Sequence, residues 1–265
     1  MNHFDKEYVE YWKNRIISNS DGSKVAQEDI ADFYIKKLQI SQVDKVLDLG
    51  CGHGRFYPVI SQYSKNIYGM DVTYDAINEA STFPYISLIK GSAENSNFAD
   101  KSFTKVISWG VFDVVEQEKG FLEVNRILKN NGMFLVTGKN NSYCHDDSQA
   151  FVAERNAKLK EFPNHFTDVS LLIKNIGKFG FEVINAYVFK KRGDLGENKF
   201  VSLNLNNIDI NFYEYVLILK KHKEISLTDF KFCFEYSETA IKKAKENNFI
   251  NTLDFFKWHK KINNE

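Results

Sequence analysis

The chain is sparing with several kinds of residue, and each scarcity excludes something. Among its 265 residues are only three cysteines, Cys51, Cys144 and Cys233, far apart and without the paired spacing of a metal site. A reduced, cytoplasmic protein fits them better than a disulfide framework. With only three prolines, the chain lacks the rigid linkers that separate independent domains. It has no excess of charge, since 35 basic residues balance 35 acidic ones. Proteins that neutralise phosphate backbones usually carry a clear basic surplus, so no nucleic-acid partner is expected. Nowhere do eighteen apolar residues run together, so no membrane span is expected either. The first residues, Met1 to Glu7, are polar and charged, unlike a signal peptide.

What is present is an alternation of short apolar runs with amphipathic ones, the signature of a parallel sheet with crossover helices. Strands are expected at 45–49, 66–70, 86–90, 103–108 and 133–137. Helices are expected at 24–38, 56–64, from 75 to 80, and at 117–129, where Phe121, Val124, Ile127 and Leu128 recur at helical spacing. That last helix should stop at Asn130-Asn131-Gly132. A further helix over 167–179 takes Thr167 as its N-cap and closes at Gly180. Two more strands, 181–190 and 211–220, follow with no helix between them, which predicts an antiparallel pair. The expected organisation is an N-terminal helical arm (1–40), a central domain (41–225) with an insertion at 139–166, and a mainly helical C-terminal extension (226–265).

The most informative stretch is Val46-Leu47-Asp48-Leu49-Gly50-Cys51-Gly52-His53-Gly54. Glycines at alternate positions after a buried strand let the backbone turn sharply and approach a ligand, and the next helix aims its N-terminal amides at polar ligand groups. A tight turn without a ligand is the alternative. Asp71, with Val72 beside it, ends the second apolar strand, where a doubly wound sheet opens its crevice. A carboxylate there can accept hydrogen bonds from both ribose hydroxyls of an adenosine, or else cap the next helix. The spacing is G-x-G-x-G rather than the G-x-G-x-x-G of dinucleotide enzymes, which favours S-adenosylmethionine over a nicotinamide cofactor.

From about residue 44 to 138 the chain resembles the core of class I S-adenosylmethionine-dependent methyltransferases. Asp48-x-Gly50-x-Gly52-x-Gly54 resembles their first motif and Asp71 their ribose-binding acid. Gly91-Ser92-Ala93-Glu94 followed by Phe98-Ala99-Asp100 resembles the segment that lines the adenine, and 124–132 the turn before the fifth strand. The family often has Asp where this chain has Ser92, so Ser92 and Glu94 share that expectation. The resemblance implies an α/β fold with a doubly wound, mostly parallel seven-stranded sheet whose last strand is antiparallel. It implies S-adenosylmethionine as cofactor, held by Asp48, Gly50, Cys51, Gly52, Asp71, Val72, Ser92, Ala93, Glu94 and Trp109.

Methyl transfer needs donor and acceptor held in line, water excluded, and a proton removed where the acceptor is an alcohol. The candidates lie in the turn 108–113 and the insertion after the fifth strand. Asp113, His165 and His145 are the candidate proton acceptors, the histidines because their ordinary pKa suits the task. Phe112, Lys139 and Tyr143 are candidates for contact with the acceptor. In the arm, Tyr11 and Arg15 share one helical face with Tyr8 and Trp12 and are candidates to meet the cofactor's sulfonium and carboxylate; burial of Tyr8 and Trp12 against the core is the alternative. The resulting expectation is an enzyme that methylates oxygen or nitrogen of a small molecule, with sugars, glycan precursors and phosphorylated metabolites as reasonable acceptors. A protein or nucleic-acid methyltransferase and a non-catalytic scaffold are the competing readings. Enzymes that methylate nucleobase amines usually carry a proline pair after the fourth strand, where this chain has Gly110-Val111-Phe112-Asp113. The aromatic C-terminal extension (Phe230, Phe232, Phe234, Tyr236, Phe255, Phe256 and Trp258) either covers the protein's own sheet or forms a homodimer surface.

Overall fold

A computed structural model describes residues 3–18, 28–84, 86–159, 164–193, 201–208, 211–232 and 235–246. Two helices lead, α1 (His3–Ile17) and α2 (Glu28–Lys37), and then the alternation begins. It runs β1 (Val46–Leu49), α3 (Tyr57–Tyr63), β2 (Ile67–Asp71), α4 (Tyr74–Ala80), β3 (Ile86–Lys90), β4 (Phe103–Ser108), α5 (Gln117–Ile127) and β5 (Leu128–Asn140). There follow α6 (Ser148–Leu159), β6 (Phe166–Thr167), α7 (Val169–Asn175), β7 (Phe181–Phe189), β8 (Val201–Ser202), β9 (Glu214–Lys221) and α8 (Glu238–Glu246).

The strands form one sheet in the order β3-β2-β1-β4-β5-β9-β7-β8, with β6 beside the end of β5. The strands from β3 to β5 pair in parallel, and β9 lies antiparallel between β5 and β7. The order reverses between β1 and β4, so the crevice of this doubly wound sheet opens at their carboxyl ends. Residues alternate between two apolar layers, as the two-residue period of a strand requires. Phe134, Val136, Leu217 and Leu219 face α5, α7 and the turn after α7 through Phe121, Val124, Leu172 and Phe179. Met133, Leu135, Val216 and Ile218 face α2 and α3 through Tyr34, Ile35 and Ile60.

The doubly wound class and the antiparallel pair stand as expected, while several boundaries move. Two two-residue strands, β6 and β8, extend the sheet to nine. Helix α5 ends at Ile127 rather than Lys129, because Leu128 turns extended to bury its side chain and pair with Phe103. The left-handed Asn131 then sits inside β5 instead of capping a helix. Thr167 is not the N-cap of the next helix. Its buried hydroxyl meets Gln117, and the cap is Asp168, which accepts from the Leu171 amide at 2.9 Å. That helix is also broken, α7 passing at Ile176 into a 3-10 turn that closes on the left-handed Gly180.

The C-terminal extension is less helical than expected among the described residues, with α8 as its one helix; 247–265, including Phe255, Phe256 and Trp258, lie outside them, as does Phe234. Phe230 and Phe232 pack on the protein's own core, Phe232 stacking on Phe179 at 5.9 Å. Helix α8 is fastened to α6 through Glu154, wholly buried, which accepts hydrogen bonds from the Tyr143 hydroxyl (2.6 Å), the Ser237 amide (3.0 Å) and the Ser237 hydroxyl (2.5 Å). Those bonds, with Phe151, Phe166 and Tyr213, make a small third core under the insertion.

Candidate active site

At the carboxyl end of β1 the chain turns through Gly50, Gly52 and Gly54, all with positive φ (77°, 51° and 75°). At Gly50 the requirement is double, because a Cβ there would also come within 2.2 Å of Val111 Cγ2. Only glycine lets this turn lie against the loop after β4. The Gly50 and Cys51 amides both bond to the Met70 carbonyl, at 2.7 and 3.0 Å. Cys51 turns its thiol into the core, where burial pushes it well above its usual range. It presents backbone, not sulfur, to the crevice.

Asp71 receives the Gly52 amide on Oδ2 at 3.1 Å and the Thr73 amide on Oδ1 at 3.0 Å. Those bonds lock its carboxylate across the mouth of the glycine turn. The cap of α4 is Thr73, not Asp71, for its hydroxyl accepts the Ala76 amide. Burial nonetheless raises the Asp71 pKa from its ordinary value. Asp48, also buried, is pushed up to about 7, burial outweighing the attraction of Arg55. Its Oδ2 has no hydrogen-bond partner among the described residues. An unsatisfied buried oxygen is costly unless a ligand's donor completes it.

The segment after β3 is drawn to the same edge by a bond from the Gly91 amide to the Asp71 carbonyl, 2.9 Å. Ser92 accepts the Glu94 amide (3.2 Å), Glu94 accepts the Glu116 amide (2.7 Å), and Ala93 is buried in the core. Above them lies α1. Tyr8 gives its hydroxyl hydrogen to the Val114 carbonyl at 2.9 Å. Burial raises its phenol, and the charges of Asp113, Glu94 and Asp71 push the same way. Tyr8 thus feels three carboxylates, whereas Arg15 bonds to the Tyr11 hydroxyl at 3.1 Å and stacks over Trp12 at 5.4 Å.

A second group of polar residues forms where β4 and β5 end and β9 begins. Asp113 is buried; its Oδ2 pairs with the Lys139 ammonium, and its Oδ1 has no hydrogen-bond partner among the described residues. Lys139 also bonds to Asn164 at 3.0 Å. Burial alone would lower its pKa, but Asp113 and its neighbours overcome that and raise it, so it stays cationic. Cross-strand pairing places Glu214 directly opposite Lys139. Burial, reinforced by Asp113, pushes the Glu214 carboxyl up to about 7, while Lys139, Arg55 and the Thr137 hydroxyl pull it back. That hydroxyl also accepts the Gly110 amide at 2.8 Å, tying Glu214's surroundings to the loop after β4.

His165 joins this group through its backbone, its amide donating to the Asp113 carbonyl at 2.5 Å. Its imidazole is lowered by burial to about 4. The other predicted residues are dispersed. His145 is exposed on the loop before α6. Tyr143 points its hydroxyl at Glu154 inside the insertion's own core. Phe112 is wholly buried between Phe121 (4.7 Å) and Phe134 (5.4 Å). Trp109 packs among Tyr34, Phe56 and Phe189. Four residues of this region were not singled out from the sequence for such roles: Tyr8, Arg55, Thr137 and Glu214. Only Tyr8 left a trace, as one position on the amphipathic face of the arm.

A doubly wound sheet with this glycine turn and acid defines a class of protein, the Rossmann-like methyltransferases. Residues 47–136 match the family described as the methyltransferase domain. The chain carries a class I S-adenosylmethionine-dependent methyltransferase domain, and S-adenosylmethionine is its cofactor. It is 25% identical over 211 residues to MJ1252 of Methanocaldococcus jannaschii, covering 79% of this chain and 67% of that protein. It is 30% identical over 132 residues to the ubiquinone/menaquinone biosynthesis C-methyltransferase UbiE of Campylobacter jejuni, covering 46% of this chain but only 55% of the relative. Among solved structures, YcgJ from Bacillus subtilis aligns with a TM-score of 0.55 at 21% identity, over 75% of this chain and all of the other.

The residues fit this cofactor. The unsatisfied Asp48 Oδ2 and the locked Asp71 carboxylate flank a turn where backbone is the surface, which suits a ligand with an ammonium and a ribose diol.

Proposed function

We propose that this domain transfers the methyl group to an oxygen or nitrogen of a small molecule. The observation that carries this is the burial of the polar groups on the acceptor side: the side chain of Asp113 is 7% exposed and that of Lys139 24%. Groups so enclosed suit a compact acceptor, whereas a polymer needs an open and usually basic face. In this reading Asp48, Asp71 and the Gly50–Gly54 backbone hold the cofactor, with Ser92, Ala93, Glu94 and Val72 at its adenosine end. The bound cofactor supplies an electrophilic methyl on a sulfonium.

The chain's own residues would do the remainder. Tyr8 on α1, with the 139–166 insertion clipped to α8, excludes water. Asp113, Lys139 and Asn164 orient the acceptor. Lys139 is already neutralised by Asp113, which favours acceptors that donate hydrogen bonds over phosphorylated ones. His165, neutral near pH 7, serves better as a hydrogen-bonding wall than as the base. A carbon acceptor is the second reading, favoured by the likeness to the Campylobacter protein, whose name is that of a C-methyltransferase.

The test is calorimetric titration with S-adenosylhomocysteine, with NAD alongside, then a screen of hydroxyl, amine and carbon acceptors using methyl-labelled cofactor. Micromolar binding of the nucleoside, none of NAD, and label on oxygen or nitrogen are expected. Label on a carbon alone would replace this reading by the second one.

A further inference from the structure

The stretch between β3 and β4, from Gly91 to Ser102, carries Ser92, Ala93 and Glu94 along the crevice edge without a helix or a strand of the sheet. Its sheet-like contact is an isolated bridge between Ser92 and Asn95. Chain without regular structure keeps a shape only where other elements bond to it. At the near end the Gly91 amide bonds to the Asp71 carbonyl at 2.9 Å, and further on the Glu94 carboxylate accepts the Glu116 amide at 2.7 Å. The far end is held by two side chains of α5, Glu123 and Arg126.

The Glu123 side chain is only 8% exposed. Its Oε1 accepts the Ser96 amide at 2.8 Å and the Ser96 hydroxyl as well. Arg126 grips the same carboxylate with two prongs, Nε to Oε2 at 2.9 Å and Nη2 to Oε1 at 2.7 Å. Burial pushes the Glu123 carboxyl up, but Arg126 and Ser96 outweigh it and lower it, so it stays ionised. The guanidinium then reaches the segment's backbone, Nη1 donating to the Phe98 carbonyl at 2.8 Å and Nη2 to the Ser96 carbonyl at 3.2 Å. A further bond from Nη1 to Asp100 lies in solvent and adds little. The Arg126 carbonyl accepts the Lys101 amide at 2.9 Å. Phe98, fixed by its carbonyl, packs its ring on Phe103 at 4.8 Å and Tyr68 at 6.3 Å.

An ion pair three residues apart on a helix ordinarily supports that helix alone. Here both partners also bond to a segment 26 to 30 residues away in the chain. The planar fork of arginine is what lets one side chain hold a carboxylate and two carbonyls together. Helix α5 is itself seated in the core through Phe121, Val124 and Ile127, so the segment is clamped to a rigid element.

We infer that Glu123 and Arg126 are positioning residues for the cofactor, setting the 92–98 segment in the arrangement that receives the adenine base. This inference rests on the placement of Ser92, Ala93 and Glu94 at the adenosine end and deepens it. With the clamp broken, the segment holds its binding arrangement only part of the time, and cofactor affinity falls by that fraction. The fall concerns the base alone, because the glycine turn and Asp71 are held by bonds of their own.

The test titrates the full chain by calorimetry, well below its unfolding transition, with S-adenosylhomocysteine and with S-ribosylhomocysteine, in which a hydroxyl replaces the base. Arg126→Met should weaken S-adenosylhomocysteine about tenfold, as for a segment correctly arranged about a tenth of the time. S-ribosylhomocysteine should stay within about twofold. Arg126→Lys, which keeps the charge without the fork, should fall between wild type and Arg126→Met, and it carries the test if the methionine variant fails to fold. Glu224→Gln, which breaks the surface pair with Lys101 at the same edge, should match wild type for both ligands. Equal losses for the two ligands would show a merely structural role and overturn the inference, as would unchanged S-adenosylhomocysteine affinity. Amide exchange of wild type tests the underlying placement separately: S-adenosylhomocysteine should slow exchange over 92–98 more than S-ribosylhomocysteine does. No such difference would sink the placement, whereas a difference with unchanged binding in the variants would overturn the clamp alone.

Discussion

The cofactor side and the acceptor side of this crevice are built by different means. The cofactor side draws on 48–71, a single strand–turn–helix–strand unit, and much of what it presents is backbone. The acceptor side gathers Asp113, Lys139, His165 and Glu214 from separate loops and strand ends, and what it presents is side-chain charge. The first is a local shape that glycine and one acid secure. The second is an electrostatic balance that exists only once β5, β6 and β9 have paired. A change on the cofactor side should therefore be read in ligand affinity, and one on the acceptor side first in stability.

The largest effect should break the acceptor side while leaving the other intact. Lys139→Met strands the buried Asp113 without its cation, a loss of about 3 kcal/mol, at the low end for a broken buried pair because Lys139 is part exposed. Denaturant unfolding should show that loss, with S-adenosylhomocysteine affinity changed less than about threefold. Asp71→Ala should do the converse. Calorimetry should find nucleoside affinity down about 100-fold, near 2.7 kcal/mol, with a smaller loss of stability in the free protein, about 1 kcal/mol, as the Gly52 and Thr73 amides lose their acceptor. Comparable losses of stability in both variants would erase the distinction.

Asp48 sharpens the comparison through pH. Its folded pKa, about 7, lies above the ordinary carboxylate value, so between about pH 4 and 7 the native state holds a proton that the unfolded chain has released. Stability of the free protein therefore falls as pH rises through that window, and the penalty persists above it. Asp48→Asn removes the ionising group. Thermal scans should give an unchanged midpoint at pH 4 and a gain at pH 8 of about 2–4 °C for each kcal/mol relieved. A gain of equal size at both pH values would mean that Asp48 is not the source. Smallest of all, His145→Ala on its exposed loop should change stability by less than about 0.5 kcal/mol and leave nucleoside binding untouched.

Most of the first side was legible from the residues. Alternating apolar runs gave the doubly wound order, and Asp48, Gly50, Gly52 and Asp71 meet at one turn. Errors in the elements came where a tertiary contact outweighed a local signal: Leu128 left its helix to pair with Phe103, and Thr167 gave up a cap to bond with Gln117. On the acceptor side, Asp113, Lys139 and His165 do come together. Tyr143 and Phe112, equally plausible by position, turn away into the core. In the arm, Tyr8 bonds to the Val114 carbonyl after β4, and Arg15 bonds to the Tyr11 hydroxyl one turn back on the helix; helical spacing identifies the face that these residues share.

Glu214 shows where reading a sequence ends. In the run Tyr213-Glu214-Tyr215-Val216 it resembles any charged residue at the start of an edge strand. Its significance arises because β9 inserts antiparallel between β5 and β7, which sets it, half-buried, opposite Lys139. The sequence by itself determined the α/β fold and the cofactor, because period, turn chemistry and a short motif are local properties that the chain carries wherever it goes. Only the tertiary structure decided which charges face one another. That depends on strand register and burial, and a carboxyl's proton affinity is a property of its surroundings rather than of its place in the chain.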